Sequence, residues 1–326
     1  MGEFVGGTIE KIGLGVITHR RPDGLRALLQ SLSEIKVPKG TECVVLIAEN
    51  DEEKSLAPLI SEMEEVLPFP VRYVLEQRRG IPQARNCILD IAAAEGCAYL
   101  TFVDDDSVVH QDWLVVLYNA LVGRGVDLVG GPNRLQGPTD VALTWQNRLV
   151  LRDVRAANAK LMQARMMRVA TPQETALEIY TNNWMVRLDA QQKLGVRFDE
   201  ALRFTGGSDR KFFLDFVRGG GRSAWSSDAR VFEIWPPERL TFAYLFRRIR
   251  DQQMMRLICD DSVPSASTAM AGLITGAVWA LWLVLQAPLT RFRTVPTAVR
   301  RLAVAVAQFR VAHGKESALY APEVDA

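Results

Sequence analysis

The sequence contains little cysteine and no pattern that suggests a disulfide framework. Its 326 residues include four cysteines, Cys43, Cys87, Cys97 and Cys259, and no C-x-x-C pair. Three of the four lie within apolar runs, where cysteine behaves as a small hydrophobic residue. We therefore expect reduced cysteines in the core of a cytoplasmic protein.

A signal peptide and a substantial net charge are also missing. The first eleven residues contain no apolar segment after a basic start, which predicts that the main body stays in the cytoplasm. The formal net charge is only +1, but residues 241–326 carry ten Lys or Arg against six Asp or Glu. The rest of the chain is therefore slightly acidic, which argues against a nucleic-acid groove. A basic tail is suited to an anionic lipid surface.

What is present is an ordinary globular composition, 48% hydrophobic and 24% charged, which fits one large domain with an appendage. Short β-rich runs alternate with segments of helical periodicity, a pattern typical of a parallel sheet with crossover helices. The strands are predicted at residues 14–18, 43–48, 71–75, 99–103 and 127–130, and the helices at 23–34, 52–66, 82–94 and 112–122.

The second half of the chain is predicted to complete the same sheet. Residues 139–168 indicate a helical insertion between two proline-containing loops. Strand, helix and strand are expected at 180–187, 208–218 and 223–234. Sheets of this kind bind ligands beyond the carboxyl ends of their strands, so functional residues are expected there.

Three consecutive carboxylates, Asp104, Asp105 and Asp106, follow the apolar strand at 99–103. Adjacent like charges repel unless a cation binds them. Asp104 and Asp106 are two residues apart and can point the same way, which would suit Mg²⁺ or Mn²⁺ bound against a diphosphate. A solvated loop and helix cap is the alternative, because acids also favour helix starts.

Two further polar groups follow neighbouring strands. Glu49 ends the second strand and is placed to accept hydrogen bonds from a uracil ring or a ribose, whereas polar turn chemistry alone explains Asn50 and Asp51. Residues 76–86 contain three arginines and place two or three guanidinium groups around a glycine turn and a helix start, a combination that suits phosphate. A solvated basic loop is the alternative there.

Asp209 lies much later in the chain, in the stretch TGGSD at 205–209, directly before an apolar helix. A simple helix cap by Ser208 or Asp209 is one interpretation. The other makes Asp209 a general base that deprotonates an acceptor hydroxyl opposite a departing diphosphate.

Eight short stretches, in this order, resemble those of family 2 glycosyltransferases with the GT-A fold, in particular the ExoM-like bacterial group that makes polysaccharides and glycolipids. They span about residues 12–253. The stretches are GVITHRRP (15–22), VVLIAEND (44–51), RRGIPQARN (78–86), FVDDD (102–106), TNN (181–183), FDEAL (198–202), TGGSD (205–209) and PPERL (236–240).

The resemblance implies an α/β GT-A fold with a single Rossmann-like mixed sheet, and it implies roles for particular residues. Asp104 and Asp106, the ends of a D-x-D pattern, would hold Mg²⁺ or Mn²⁺. Asp209 would be the base. Asn183 and Trp184 would contact the acceptor. The residues implied in donor binding are Thr18, Glu49, Arg79, Asp104, Arg247 and Arg250.

Three departures from the family pattern affect these roles. The usual Pro-Thr-x-Asn opening is replaced by the segment from Thr18 to Arg21, and Glu49 stands where Asp is common. Ser208 stands where Glu is frequent before the base, a change that bears on how the acceptor is positioned.

The resulting expectation is an inverting enzyme that moves a sugar from a nucleotide diphosphate donor, expected to be a UDP-sugar, to a lipid-linked, polysaccharide or glycolipid acceptor. The catalytic domain is expected at residues 1–240, with a nucleotide-binding half at 12–135 and an acceptor half at 136–240. A nucleotidyltransferase of similar fold is one alternative, but it would need no base at Asp209. A non-catalytic membrane-bound nucleotide-sugar or partner-binding protein is the other, and retention of both acidic sites argues against it.

Residues 241–326 are expected to form a helical, basic and apolar tail. Residues 262–290 contain no charge and are long enough to span a bilayer, although a buried soluble helix would show the same pattern. Arginines lie on both sides of this run, so the charges give no clear orientation. The segment 295–311 is amphipathic. We therefore expect a helical hairpin or in-plane anchor at the cytoplasmic face of a bacterial inner membrane, in preference to a single crossing.

Overall fold

The structure, a computed structural model, describes residues 9–139, 141–169, 178–203 and 206–315. The chain forms two compact units, which interleave along the sequence. The first is made of Met1–Arg134, Leu161–Glu200 and Asp209–Glu233, and the second of Leu135–Lys160, Ala201–Ser208 and Ile234–Ala326. The expected boundary at residue 240 stays a prediction.

The first unit contains a seven-stranded mixed sheet that confirms the predicted fold class. Its order is β3-β2-β1-β4-β8-β6-β9. Strands β1 to β4 run parallel, whereas β8 is antiparallel to both of its neighbours. These strands are β1 (Glu10–Thr18), β2 (Thr41–Glu49), β3 (Val71–Leu75), β4 (Tyr99–Phe102), β6 (Leu128–Gly130), β8 (Trp184–Arg187) and β9 (Ser223–Trp225).

A second, three-stranded sheet was not expected. It has the order β5-β10-β7, with β5 at Ser107–Val109, β7 at Asn133–Gln136 and β10 at Val231–Ile234. The single strand predicted at 223–234 was therefore wrong. These residues form two strands, β9 and β10, in different sheets. After β9 the backbone N–H of Ser226 donates to the carbonyl of Gly130 at the end of the large sheet, and the chain then turns before β10.

Helices cover both faces of the large sheet. Residues of α1 at spacings of three and four, such as Leu25, Leu28 and Leu32, are buried on one face, and α3 lies on the other. The inner strand β2 is buried continuously from Cys43 onward, as expected for a strand covered on both sides. The helices are α1 (Pro22–Ser33), α2 (Ala57–Glu64), α3 (Ile81–Ala94), α4 (Trp113–Gly123), α5 (Trp145–Val169), α6 (Leu188–Leu194) and α7 (Ser208–Arg218).

Helix α2 is shorter than the helix predicted at 52–66. The carboxylate of Glu49, at the end of β2, accepts the backbone N–H groups of Ser55 and Leu56 just before the helix begins. This contact supplies acceptors for the otherwise unpaired first N–H groups of a helix. Residues 52–56 therefore form a loop instead of the first helical turn.

Three helices dominate the second unit: α8 (Phe242–Cys259), α9 (Ala266–Leu285) and α10 (Val295–Ala312). Helix α10 packs against both α8 and α9. On the α9 side the fit is close, because a Cβ added to Gly276 would lie 2.6 Å from the Cβ of Ala305. Within the described residues α9 is the one helix long and apolar enough to cross a membrane, a test of length and composition alone.

Candidate active site

The central residue of the acidic triplet is held inside the protein. The buried carboxylate of Asp105 accepts hydrogen bonds from Thr18 Oγ1 at 2.8 Å and Arg21 Nη1 at 2.9 Å. Burial raises the pKa of Asp105, and the Arg21 charge opposes that rise. The start of α1 also approaches closely, since a Cβ added to Gly24 would lie 2.5 Å from the Asp105 carbonyl oxygen. The hydrogen bond between Thr18 and Asp105 thus joins the ends of β1 and β4.

The outer carboxylates of the triplet are only partly buried. Asp106 lies 3.2 Å from Arg21 Nη1, and Asp104 lies 3.8 Å from Arg85 Nη2 on α3. Burial raises the pKa of Asp104 to about 7, and the nearby carboxylates of Asp106, Glu233 and Asp105 add to that rise against the Arg85 charge. Three carboxylates therefore lie close enough to Asp104 to raise its pKa, and such crowding favours binding of a cation.

The donor atoms fit a hard divalent cation. Mg²⁺ and Mn²⁺ prefer carboxylate oxygens, and Mg²⁺ is usually held by one or two carboxylates plus substrate phosphates. In the part of the chain that the structure describes, no group of three or more His, Cys, Asp or Glu side chains converges on a metal position. Asp104 and Asp106 thus match the two-carboxylate arrangement and not an all-protein cage.

A second charged cluster lies at the end of β2. The buried Asp51 carboxylate accepts two hydrogen bonds from Arg20, at 2.7 and 3.0 Å, which lower its pKa. His19 Nδ1 lies 3.5 Å from the same carboxylate, and His19 Nε2 lies 3.0 Å from Arg79 Nη2. Burial and the Arg79 charge lower the pKa of His19, so the neutral imidazole is favoured. Arg79 is thereby held at the end of β2, and its role in donor binding stays a prediction.

The loop that carries Arg79 is fixed by Asn50. Its side-chain amide donates to the carbonyls of Glu76 at 2.8 Å and Arg78 at 2.9 Å, and its oxygen accepts the N–H of Gly80 at 2.8 Å. Gly80 has a φ of 144°, a conformation that favours glycine, and α3 begins at the next residue. Sequence reasoning assigned Asn50 only generic turn chemistry, whereas the structure shows it shaping the arginine loop.

Glu49 lies in the interior. Its side chain has no solvent exposure, and its carboxylate accepts from Ser55, Leu56 and the hydroxyl of Tyr73. A contact with a nucleotide would require Glu49 to exchange one of these partners. Its predicted role in donor binding stays a prediction.

Asp209 lies in the first turn of α7 and is partly exposed. Its Oδ1 accepts the backbone N–H of Arg210 at 2.8 Å. The two preceding glycines, Gly206 and Gly207, have φ values of 83° and 80°, so both positions favour glycine, as the TGGSD stretch suggests. Thr205 lies outside the described residues.

The two predicted acceptor residues are buried. Asn183 accepts from Trp113 Nε1 at 2.8 Å and donates to the carbonyls of Pro132 at 2.9 Å and Ala229 at 2.6 Å. Trp184 is packed among aromatic rings, and its Nε1–H has no hydrogen-bond partner among the described residues. Acceptor binding by this pair stays a prediction.

The remaining predicted donor residues, Arg247 and Arg250, lie on α8 in the second unit. Arg247 is exposed, and Arg250 donates to both carboxylate oxygens of Asp251, at 2.8 and 3.0 Å. Their role in donor binding stays a prediction.

Sequence reasoning missed several residues that organise the site. Arg21 binds two of the three acids, yet its only signal was its place in the stretch at 15–22. Asn86 exchanges hydrogen bonds with the backbone of Phe198, at 2.9 and 3.0 Å, and also donates to Glu200 at 3.1 Å. The stretches at 78–86 and 198–202 are far apart in the sequence, and Asn86 brings them into contact.

The mixed sheet and the acidic end of β4 define a glycosyltransferase of the GT-A fold. Residues 14–195 match the family model described as Glycosyl transferase family 2, and the chain belongs to this family. It is 34% identical over 241 residues to the succinoglycan biosynthesis protein ExoM of Rhizobium meliloti, which covers 73% of this chain and 71% of ExoM. The predicted ExoM-like family and enzyme class are confirmed.

Solved structures support the same fold. The mannosyltransferase PcManGT from Pyrobaculum calidifontis, in complex with GDP-Man and Mn²⁺, aligns with a TM-score of 0.60 at 17% identity, over 91% of this chain and 86% of PcManGT. Residues 1–349 of S. aureus TarS, in complex with UDP, align with a TM-score of 0.51 at 14% identity, over 94% of this chain and 92% of that one. At these identities the likeness concerns the fold alone.

Asn183→Ala should destabilise the first unit, because it leaves the Trp113 indole N–H and the Ala229 carbonyl without this partner. The Pro132 carbonyl still accepts the backbone N–H of Val231. Each lost partner costs about 1–3 kcal/mol, so we expect a loss of about 2 kcal/mol or more, seen as a lower apparent melting temperature. Gln77→Ala, which removes one exposed hydrogen bond to Glu52, serves as the control. An unchanged melting temperature for Asn183→Ala would contradict this structural role.

Proposed function

We propose that the enzyme transfers a sugar from a nucleotide diphosphate donor, a UDP-sugar, to a hydroxyl of a lipid-linked, polysaccharide or glycolipid acceptor, with inversion at the anomeric carbon. The observation that carries this proposal is the acidic edge of β4, where Asp105 is held by Thr18 and Arg21 and Asp104 and Asp106 flank it. The named ligands of the aligned structures, UDP and GDP-Man with Mn²⁺, support a nucleotide-sugar donor. The name of ExoM supports a polysaccharide product.

Asp104 and Asp106 would hold Mg²⁺ or Mn²⁺. A divalent cation bound there would neutralise the charge that develops on the departing diphosphate. Burial first and the neighbouring carboxylates second raise the pKa of Asp104, and a bound cation would offset both effects.

Positive charge for the donor phosphates is available beside this edge. Arg79 is held in place by His19 and by the loop that Asn50 fixes. The N terminus of α3 follows directly, and helix N termini favour anions. Thr18 and Glu49 are proposed to contact the nucleoside, and Arg247 and Arg250 the pyrophosphate.

Asp209 is proposed as the general base. As the acceptor oxygen attacks the anomeric carbon, the Asp209 carboxylate takes the hydroxyl proton, a new C–O bond forms, and the bond to the diphosphate oxygen breaks. The nucleoside diphosphate leaves with the electron pair. One displacement of this kind needs no covalent intermediate and inverts the anomeric centre.

The tail is proposed to bind the surface of a membrane, at the cytoplasmic face. Residues 262–315 contain six Lys or Arg and no Asp or Glu, a balance that suits anionic lipid. The outer side of α9 exposes large apolar residues, including Ile274, Leu281 and Leu285, and two tryptophans that suit a membrane interface.

The packing of α10 supports an in-plane position for α9. Helix α10 lies along α9 and also against α8, and its Arg300 donates to Asp153 of α5 at 2.6 Å. If α9 crossed the bilayer, α10 would enter the hydrocarbon with Arg300 and Arg301. Each buried arginine would cost about 2.5–3.5 kcal/mol or more.

Asp106→Asn should lower the transfer rate by at least about 100-fold, because it removes one of the two carboxylates for the cation that stabilises the leaving group. It should also weaken Mn²⁺ binding, measured by calorimetry in the presence of UDP. Asp112→Asn, which removes a neighbouring exposed acid paired with Lys36, should leave both quantities unchanged. Full activity in excess EDTA would contradict the proposed metal site.

Asp209→Asn should keep UDP binding but reduce sugar transfer by at least about 100-fold, the lower end of what loss of a general base costs. Asp189→Asn is a matched control, because Asp189 also lies in a first helical turn and accepts the next backbone N–H at 2.8 Å. Near wild-type transfer by Asp209→Asn would refute the base assignment. So would a product that keeps the donor's anomeric configuration by NMR.

The triple variant Ile274→Ser, Leu281→Ser, Leu285→Ser should bind vesicles of phosphatidylglycerol and phosphatidylcholine at least about tenfold more weakly, because less apolar area enters the interface. This variant leaves the packing of α10 against α8 in place. A chain that ends near Asp261 would lack both α9 and α10.

Three equally apolar exposed positions in the first unit provide the control. The variant Ile9→Ser, Val66→Ser, Val122→Ser should leave vesicle binding unchanged. Unchanged binding of the α9 variant would place the anchor elsewhere. Resistance of the wild-type protein to alkaline carbonate extraction would argue for a membrane crossing.

A further inference from the structure

One carboxylate with no role in the proposed chemistry joins the chain before β8 to the first turn of α7. Glu178 accepts the Tyr180 hydroxyl on Oε2 at 2.7 Å. Its Oε1 accepts from Arg210 Nε at 2.9 Å and lies 2.8 Å from Arg210 Nη2. Arg210 directly follows Asp209, so this two-point ion pair lies one residue from the proposed base.

The other side of Tyr180 is fixed by a buried cation. The guanidinium of Arg165, a residue only 7% exposed, lies 5.0 Å from the Tyr180 ring centroid and 4.7 Å from that of Trp225. Burial raises the pKa of Tyr180, and the charges of Glu178 and Asp209 raise it further. Tyr180 therefore stays a hydrogen-bond donor to Glu178, and Asp209 lies within electrostatic reach of the cluster.

We propose that Glu178 is a positioning residue for Asp209. It holds the first turn of α7, and with it the Asp209 carboxylate, through the ion pair with Arg210. This role rests on the proposed function of Asp209 as general base.

The geometry explains why the contact matters for rate more than for donor binding. Glu178 and Arg210 lie beside the base, whereas the donor is assigned to Asp104, Asp106 and Arg79. A misplacement of about 1 Å at a reacting group can cost about 100-fold in rate. Loss of Glu178 should therefore lower kcat and leave the KM for the donor unchanged.

The test variant is Glu178→Gln, which keeps the size of the side chain and removes its charge. We expect kcat to fall about 10- to 100-fold, with an unchanged KM for the UDP-sugar. Glu178→Asp, which keeps a carboxylate for Arg210, should recover part of the lost kcat. Tyr180→Phe removes one hydrogen bond to Glu178 and leaves the ion pair, so it should lower kcat by less than Glu178→Gln does.

The matched control is Asp215→Asn, which breaks the 2.6 Å ion pair with Lys211 on the same helix α7 and should leave kcat unchanged. A wild-type kcat for Glu178→Gln, or a fall in kcat that Glu178→Asp does not partly recover, would overturn the positioning role. Asp209→Asn separates the two hypotheses. If it is inactive while Glu178→Gln behaves as wild type, only the positioning role fails. If it is active, the proposed base fails as well.

Discussion

The buried carboxylate of Asp105 is the constraint on which the site depends. Burial of an unpaired carboxylate would cost several kcal/mol, and Thr18 and Arg21 offset that cost by supplying hydrogen bonds and a positive charge. These contacts fix the end of β4 against the end of β1 and the start of α1. Asp104 and Asp106, one residue to either side, are thereby held at the carboxyl edge of the parallel strands.

The arginines at this edge are largely matched by carboxylates. Arg20 pairs with Asp51, Arg21 with Asp105 and Asp106, and Arg85 with Asp104. Among the described residues a free diphosphate would therefore meet little uncompensated positive charge, because Arg79 also lies 4.0 Å from Asp51. A divalent cation that arrives with the diphosphate supplies the missing positive charge. This is a physical reason to favour a metal-bound donor.

Local structure was largely predictable from sequence because it depends on periodicity. The strand expected at 71–75 and the helix expected at 208–218 have the observed bounds, and the acids were expected at strand ends. Contacts between distant residues were not predictable. Thr18 and Asp105 are 87 positions apart, and Asn86 and Phe198 are 112 apart, so no local pattern pairs them. Glu49 is an example. The sequence predicted that its side chain faces a ligand at the end of β2, whereas in the structure it points toward the loop before α2 and accepts hydrogen bonds there.

The tail shows the same dependence on neighbours. Helix α9 passes any test of length and hydropathy for a membrane span, yet a single helix cannot decide between crossing and lying flat. Its neighbour α10 supplies the missing information, since it combines small residues against α9 with Arg300 bonded to Asp153. If α10 keeps this ion pair with α5, it cannot follow α9 into hydrocarbon. The charges of α10 are therefore the physical argument for the proposed in-plane position of α9.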